Sequence, residues 1–283
     1  MSAELTAAAT SRFVDVNGIR IHYHEAGDGP VLLMIHGGAP GAFGWGNFGQ
    51  NLAGLSRRFR VLIVDLPGYG KSDKPTITGG KNTFYASVFT DLLRVLGVTK
   101  AHLLGLATGG ATAMKMAIDS PDLVDRLILV SSSGGLPLFT PTPSPGAKVI
   151  ANYYQGEGPS REKMRAYLEL IVSNKDLITD DLVEERYRAS VDPEFLAASP
   201  EGKGRPPKAE PIWRDVDRIT AKTLLIWGRD NVVQGYDNAL FLLNRIPDSQ
   251  VHIYAGTGLW VPFERQAEFE TQVESFLIPP SAG

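Results

Sequence analysis

The chain has 283 residues, with 28 Lys+Arg against 31 Asp+Glu, a net charge of −3 and 43% apolar residues. That length suits one large domain or a domain with an insertion, and so balanced a charge gives no cationic field for phosphates, which argues against nucleic acid as the main partner. The absence of cysteine excludes disulfides, thiolate nucleophiles and thiolate-held metals together.

Phe13, Val14 and Val16 lead into Asn17-Gly18, a pair suited to the positive φ of a two-residue hairpin turn. The returning strand alternates Ile19, Ile21 and Tyr23 with Arg20, His22 and His24, so the histidines fall on its polar face. Short apolar runs then alternate with helical patterns. Strands are expected at 31–35, 61–64, 101–104 and 127–130, with helices from about Trp45, over 83–96 and over 108–120. Strands apolar throughout and joined by helices indicate a parallel sheet covered on both faces. Pro137, Pro141, Pro143 and Pro145 interrupt this rhythm, and helices of mixed polarity follow until Pro206-Pro207. Strands at 223–227 and 250–254, with helices over 237–246 and 262–276, resume it; residues 278–283 read as a frayed tail. The expected organisation is therefore an α/β core in two parts, 1–135 and 216–283, with a helical insertion at 136–215. No apolar run approaches the ~18 residues of a membrane span. Met1 to Thr10 lacks the pattern of a secretory signal, so a cytoplasmic location is expected.

Three motifs follow buried strands: His36-Gly37-Gly38, the stretch Asp65 to Ser72, and Gly105-Leu106-Ala107-Thr108-Gly109-Gly110. The last sits between a strand and a helix, where a nucleophile elbow belongs. Along nearly its whole length the chain resembles the α/β-hydrolase superfamily, with the insertion as its lid. Within it, the chain is most similar to the meta-cleavage-product hydrolases, which split carbon–carbon bonds of 2-hydroxy-6-oxo-dienoates. The marks of that subfamily are His36 to Ala42 with Trp45, Asn47 and Asn51, and the stretch Leu259 to Glu264. The resemblance implies a mostly parallel central sheet with helices on both faces and a lid after the sixth strand.

It also implies a serine that attacks, a histidine that takes and returns its proton, and an aspartate that fixes the tautomer. Here Ala107 occupies the elbow, Asn231 the acid position and Leu259 the histidine position. None of the five histidines follows the last strand, so no displaced imidazole is evident. Leu106 and Gln234-Gly235 also depart from the family pattern, which points to natural loss rather than laboratory exchange. What remains for binding is backbone. Amides of Gly37, Gly38 and Thr108, with the positive end of the helix that starts there, form an anion-binding pocket.

Thr179-Asp180-Asp181 reads as a capped helix start in the lid, and Leu182, Val183, Arg186, Tyr187 and Ser190 share one face of that helix. An inward arginine needs an anion, either a substrate carboxylate, as the resemblance implies for Arg186, or a protein carboxylate. The resemblance also places Trp260 in the pocket, and His36, Asn47 and Tyr187 complete the expected ligand-binding set. No metal or cofactor is expected, since no two histidines share ligand spacing with a carboxylate. The partner is a small molecule, with a homodimer possible and neither nucleic acid nor membrane engaged. Three functions stay open. The first is a non-hydrolytic enzyme (lyase, cyclase, isomerase or decarboxylase) acting on an enolisable anion, outside the Ser-His-Asp hydrolases, with His36, Tyr187, Tyr236 or lid carboxylates moving protons. The others are a non-catalytic binder and a meta-cleavage-product or ester hydrolase inactivated by engineering.

Overall fold

The structure is a computed structural model that describes residues 5–198 and 210–278. The proline pair 206–207, the first four residues and the tail beyond Ile278 lie outside the described residues.

A short helix α1 (Ala7–Thr10) precedes β1 (Ser11–Val16) and β2 (Ile19–Ala26), which pair antiparallel with Val16 opposite Ile19. Asn17 and Gly18 take φ of 54° and 81°, as a tight turn with two positive φ values requires. The chain then runs through β3 (Val31–Ile35), α2 (Gly44–Leu55), β4 (Arg60–Val64), α3 (Lys81–Val95), β5 (Ala101–Leu106), α4 (Thr108–Asp119) and β6 (Val124–Val130). Helices α5 (Pro145–Asn152), α6 (Arg161–Ile171), α7 (Asp180–Ser190) and α8 (Pro193–Ala198) form the lid. The core resumes with β7 (Lys222–Gly228), α9 (Asp237–Arg245), β8 (Ser249–Tyr254), α10 (Val261–Glu264) and α11 (Gln266–Leu277). The strands form one sheet in the order β1-β2-β4-β3-β5-β6-β7-β8, antiparallel at β1–β2 and β2–β4 and parallel elsewhere. This is the α/β-hydrolase fold with its lid after the sixth strand.

Two apolar layers cover the sheet, and alternation along each strand assigns side chains to them. Leu33, Leu62, Leu103, Leu127, Leu129 and Leu225 pack with α3, α4 and α9. Leu32, Met34, Ile63, Leu104, Ile128 and Leu224 pack with α2, α11 and the lid. The one helix expected over 262–276 divides into α10 and α11 at Arg265, whose φ of −129° and ψ of 42° break the turn.

The hairpin histidines depart from a solvated polar face. His22 and His24 are 1% and 3% exposed, because Thr10, Ser11, Trp45 and Asp65 cover that side of β2. Burial pushes the His24 pKa down to about 4, with the neighbouring His22 adding to the shift.

Candidate functional site

Parallel strands deliver their following loops to one edge of the sheet, and the candidate site is built there. At the end of β5 the chain turns sharply through Ala107, with φ 47° and ψ −112°. This strained turn holds because Ala107 N–H donates to Val130 O at 3.0 Å, while Ala107 O accepts from Gly110 and Ser133 at 3.0 Å. Its flanking glycines are steric necessities. A Cβ on Gly105 would lie 2.3 Å from Gly109 O, and one on Gly109 would lie 2.0 Å from Ile35 O.

The loop after β3 closes over this turn. A Cβ on Gly37 would stand 3.4 Å from Ala107 Cβ, and one on Gly38 would stand 3.0 Å from Thr108 Oγ1. The Gly37–Gly38 backbone therefore faces the first residues of α4, whose N-terminal amides point toward the turn. These are the expected anion-binding groups, brought together. Tyr69 was not foreseen here; its hydroxyl donates to Gly38 O at 3.0 Å and braces the loop from the other side.

His36 begins the same loop but does not present a free nitrogen. Nδ1 donates to Gly37 O at 2.6 Å, and Nε2 accepts the Leu66 N–H at 2.9 Å. Burial pushes its pKa down to about 4 despite the nearby Asp65, so the ring is a neutral tie between two loops. The structure thus leaves His36 no capacity to contact a ligand or carry a proton.

Asn231 follows β7, and Leu259 lies in the loop after β8, which places both at the same edge as Ala107. Asn231 Oδ1 accepts from Val233 at 2.9 Å and Gln234 at 3.1 Å, and its buried Nδ2 has no partner among the described residues. Leu259 is buried, and its N–H donates to Ile171 O of the lid at 2.8 Å. Glu264 locks this junction: its carboxylate accepts from Ser173 (2.7 Å), Asn174 (3.1 Å) and Gly258 (2.8 Å). Asp230, beside the acid position, pairs outward with Arg229.

A Ser–His–Asp chain does exist among the described residues, at a different place. Ser11 Oγ lies 2.8 Å from His22 Nε2, and His22 Nδ1 lies 2.7 Å from Asp65 Oδ2. The Asp65 carboxylate also accepts from Gly44 (2.7 Å) and Lys71 (2.9 Å). Burial opposes its charge, but the His22 hydrogen bond, the imidazoles and the Lys71 amide outweigh that and hold it below the usual carboxylate range. Ser11 follows the C-terminal end of α1, the wrong polarity for an oxyanion. The network fastens β2 to the loop after β4 and the start of α2.

In the lid, Thr179 caps α7 through Oγ1, which accepts from Leu182 at 3.2 Å. Val183, Arg186 and Ser190 form the buried face. Arg186 is 4% exposed and threads to the core: Nη1 donates to Gly41 O (3.0 Å) and Asn47 Oδ1 (3.3 Å), and Nη2 to Gly46 O (2.9 Å). Its guanidinium sits 4.4 Å from the Trp260 ring and 5.7 Å from the Phe43 ring. Trp260 Nε1 donates to Asn47 O at 3.1 Å, which closes the group of Asn47, Arg186 and Trp260. No carboxylate pairs with Arg186 among the described residues, its Nε has no partner, and burial pushes its pKa down. Gly41 makes this docking possible, since a Cβ there would fall 2.1 Å from Arg186 O. Tyr187 is half-buried and carries Arg161 at 4.4 Å from its ring, and Tyr236 packs on Phe139. Tyr187 packs against the same apolar cluster as Ala107, whereas Tyr236 packs against the opposite layer. No cluster of metal-ligating side chains occurs among the described residues, and no helix there is long and apolar enough to cross a membrane.

The sheet order, the positive-φ turn after β5 and the lid define an α/β hydrolase, and the chain belongs to the alpha/beta hydrolase family, whose model matches residues 32–272. It is 34% identical to the 2-hydroxy-6-oxononadienedioate/2-hydroxy-6-oxononatrienedioate hydrolase of Comamonas testosteroni, over 97% of this chain and 99% of that one. It is 33% identical to the 2-hydroxy-6-oxo-6-phenylhexa-2,4-dienoate hydrolase of Burkholderia cepacia, over 97% and 98% of the two chains. A serine-to-alanine variant of the meta-cleavage product hydrolase of Pseudomonas fluorescens IP01, with acetates bound, superposes with a TM-score of 0.83 at 26% identity, covering 94% of this chain and 97% of that one.

These matches correct the functional expectation. A lyase, cyclase, isomerase or decarboxylase outside the Ser-His-Asp hydrolases was expected, in a chain set apart by its triad positions. The relatives that span 97% of the chain are hydrolases, and the range matched by the family model, 32–272, includes positions 107, 231 and 259. Hydrolysis is the chemistry of the family to which this fold belongs, and no separate chemistry has support.

Proposed function

We propose that the chain is a hydrolase of the meta-cleavage-product type in scaffold and ligand, which takes a 2-hydroxy-6-oxo-dienoate by its carboxylate. The observation that carries this reading is Arg186, a buried guanidinium held only by neutral oxygens. A cation in that setting is short of countercharge, and a carboxylate bound beside Trp260 and Asn47 supplies it. The Gly37–Gly38 loop and the Thr108 amide then lie where a polarised carbonyl oxygen needs donors. Ala107, Asn231 and Leu259 stand where the resemblance expects a serine, an aspartate and a histidine, at the same edge of the sheet as these donors.

The test is to mix the protein with a 2-hydroxy-6-oxo-dienoate and follow the dienolate absorbance. A stable spectral shift with slow decay is expected. The combined substitution Ala107→Ser, Asn231→Asp and Leu259→His should then raise turnover by at least ~10³-fold, since loss of a serine or histidine from such a unit removes on the order of 10⁶. No shift in the parent and no gain in the triple variant would overturn the reading.

A further inference from the structure

The sheet ends at β1 on one side and at β8 on the other, and the two edges are built differently. β1 carries exposed Arg12 and Asp15, and the Arg20 guanidinium lies 3.8 Å from the Phe13 ring between them. Charges of this kind keep an open edge from pairing with another chain. β8 has no Asp, Glu, Lys, Arg or Pro, and its register against β7 runs from Ser249 to Tyr254 without a bulge. No strand pairs with its outer side among the described residues. An open groove of about 830 Å³ beside it is lined by His252, Tyr254, Arg265, Glu268 and Thr271.

Backbone direction decides which groups of β8 are open. Asp248 O accepts from the Thr223 N–H and Tyr254 O from the Arg229 N–H, both at 2.8 Å, so the even-numbered residues turn their backbone groups toward β7. Those of Ser249, Val251 and Ile253 therefore face outward. At Ala255, next in that set, the carbonyl already accepts from Arg265 Nη2 at 3.0 Å, which closes the open row at Ile253.

We propose that this edge pairs with the same edge of a second copy of the chain, β8 antiparallel to β8 about a twofold axis at Val251. Val251 then meets Val251, and Ser249 meets Ile253, so each outward amide finds an outward carbonyl. Exposed Gln250 and His252 oppose one another on the other face. Moving the axis to His252 would instead set Ser249 against Ala255, whose carbonyl Arg265 occupies. The charges fit the Val251 axis as well. Exposed Asp248 falls opposite Tyr254 of the second copy, one position from Ala255 and the Arg265 guanidinium held there. The ion pair of Arg265 with Glu268, at 3.4 Å, is exposed and leaves that cation open to a second carboxylate. An acid at one end of the strand thus meets a cation at the other, on both sides of the axis.

Sedimentation equilibrium of the full chain, read together with amide hydrogen exchange, tests this. A mass of two chains is expected at micromolar concentration, with the amides of Ser249, Val251 and Ile253 protected in the dimer and fast on dilution. Asp248→Arg changes only an exposed side chain and should raise the dimer dissociation constant by at least ~10-fold. Val251→Pro removes an outward amide without touching the bonds to β7, and should yield a monomer. A parent chain that stays monomeric at every concentration overturns the proposal. So does a dimer whose amides at 249, 251 and 253 exchange freely, or one that Asp248→Arg leaves unchanged, since another surface would then join the copies.

Discussion

Arg186 carries the sharpest consequence at the scale of a single residue. A buried cation without a carboxylate costs free energy that only a ligand returns, so ligand affinity and unliganded stability should move in opposite directions. In Arg186→Met the apolar stem is kept, the charge is gone and the Trp260 ring still has a packing partner. The melting temperature without ligand should hold or rise, by up to about 1–2 kcal/mol of stability, while affinity for a dienoate falls by at least ~10²-fold. A variant that melts well below the parent would mean that the guanidinium's three neutral hydrogen bonds outweigh its burial. The sequence places Arg186 on the inward face of a capped helix, and Thr179 and Val183 take the positions their spacing implies. It does not reveal the countercharge. That depends on Gly41, 145 residues away in the chain, and on the lack of a carboxylate ion-paired with the guanidinium among the described residues.

At the scale of elements, the site depends on how α7 meets the loop after β3. Gly41 has φ 68° and its Cα lies against the Arg186 backbone, so it combines a positive φ with a close approach. Gly41→Ala would set a methyl 2.1 Å from a backbone oxygen that cannot rotate aside. The expected result is a lid loosened from an intact core: hydrogen exchange should speed up over 180–190 while β3 to β6 keep their protection. Equal loss of protection in lid and sheet would refute this division. The strands and helices were largely legible, since buried strands are apolar on both faces and their helices follow a 3.6 period. Two local features were not. The break at Arg265 between α10 and α11 has no Gly or Pro to announce it, and α1 is a single short turn.

On the scale of the whole molecule, buried neutral histidines tie stability to pH. His24 and His36 have folded pKa values pushed down to about 4, below the ordinary value of 6.5. The unfolded chain therefore binds protons that the folded chain refuses as pH drops. Their contribution is complete above about pH 6.5 and is lost as pH falls toward 4. Thermal melts between pH 7 and pH 4 should show a steady fall in melting temperature that begins near pH 6.5. A flat profile over that range would show that neither ring is held neutral by burial.

The sequence by itself determined the alternation of each strand between two apolar layers, the Asn17-Gly18 turn, the lid after the sixth strand, and the residue types at positions 107, 231 and 259. These follow from local periodicity, turn chemistry and motif spacing, which act over a few residues at a time. Tertiary structure alone decided that His36 is closed on both nitrogens, that His22 and His24 are buried, that Glu264 joins the lid to the last loop, and that Arg186 has no ion-paired carboxylate among the described residues. The hydrolase family was already legible in the sequence motifs, whereas the residue types at positions 107, 231 and 259 pointed to another chemistry, which the full-length matches correct. The physical reason is common to all of these. Periodicity tells which way a side chain points, whereas its partners and its solvation are set by segments that only folding brings together.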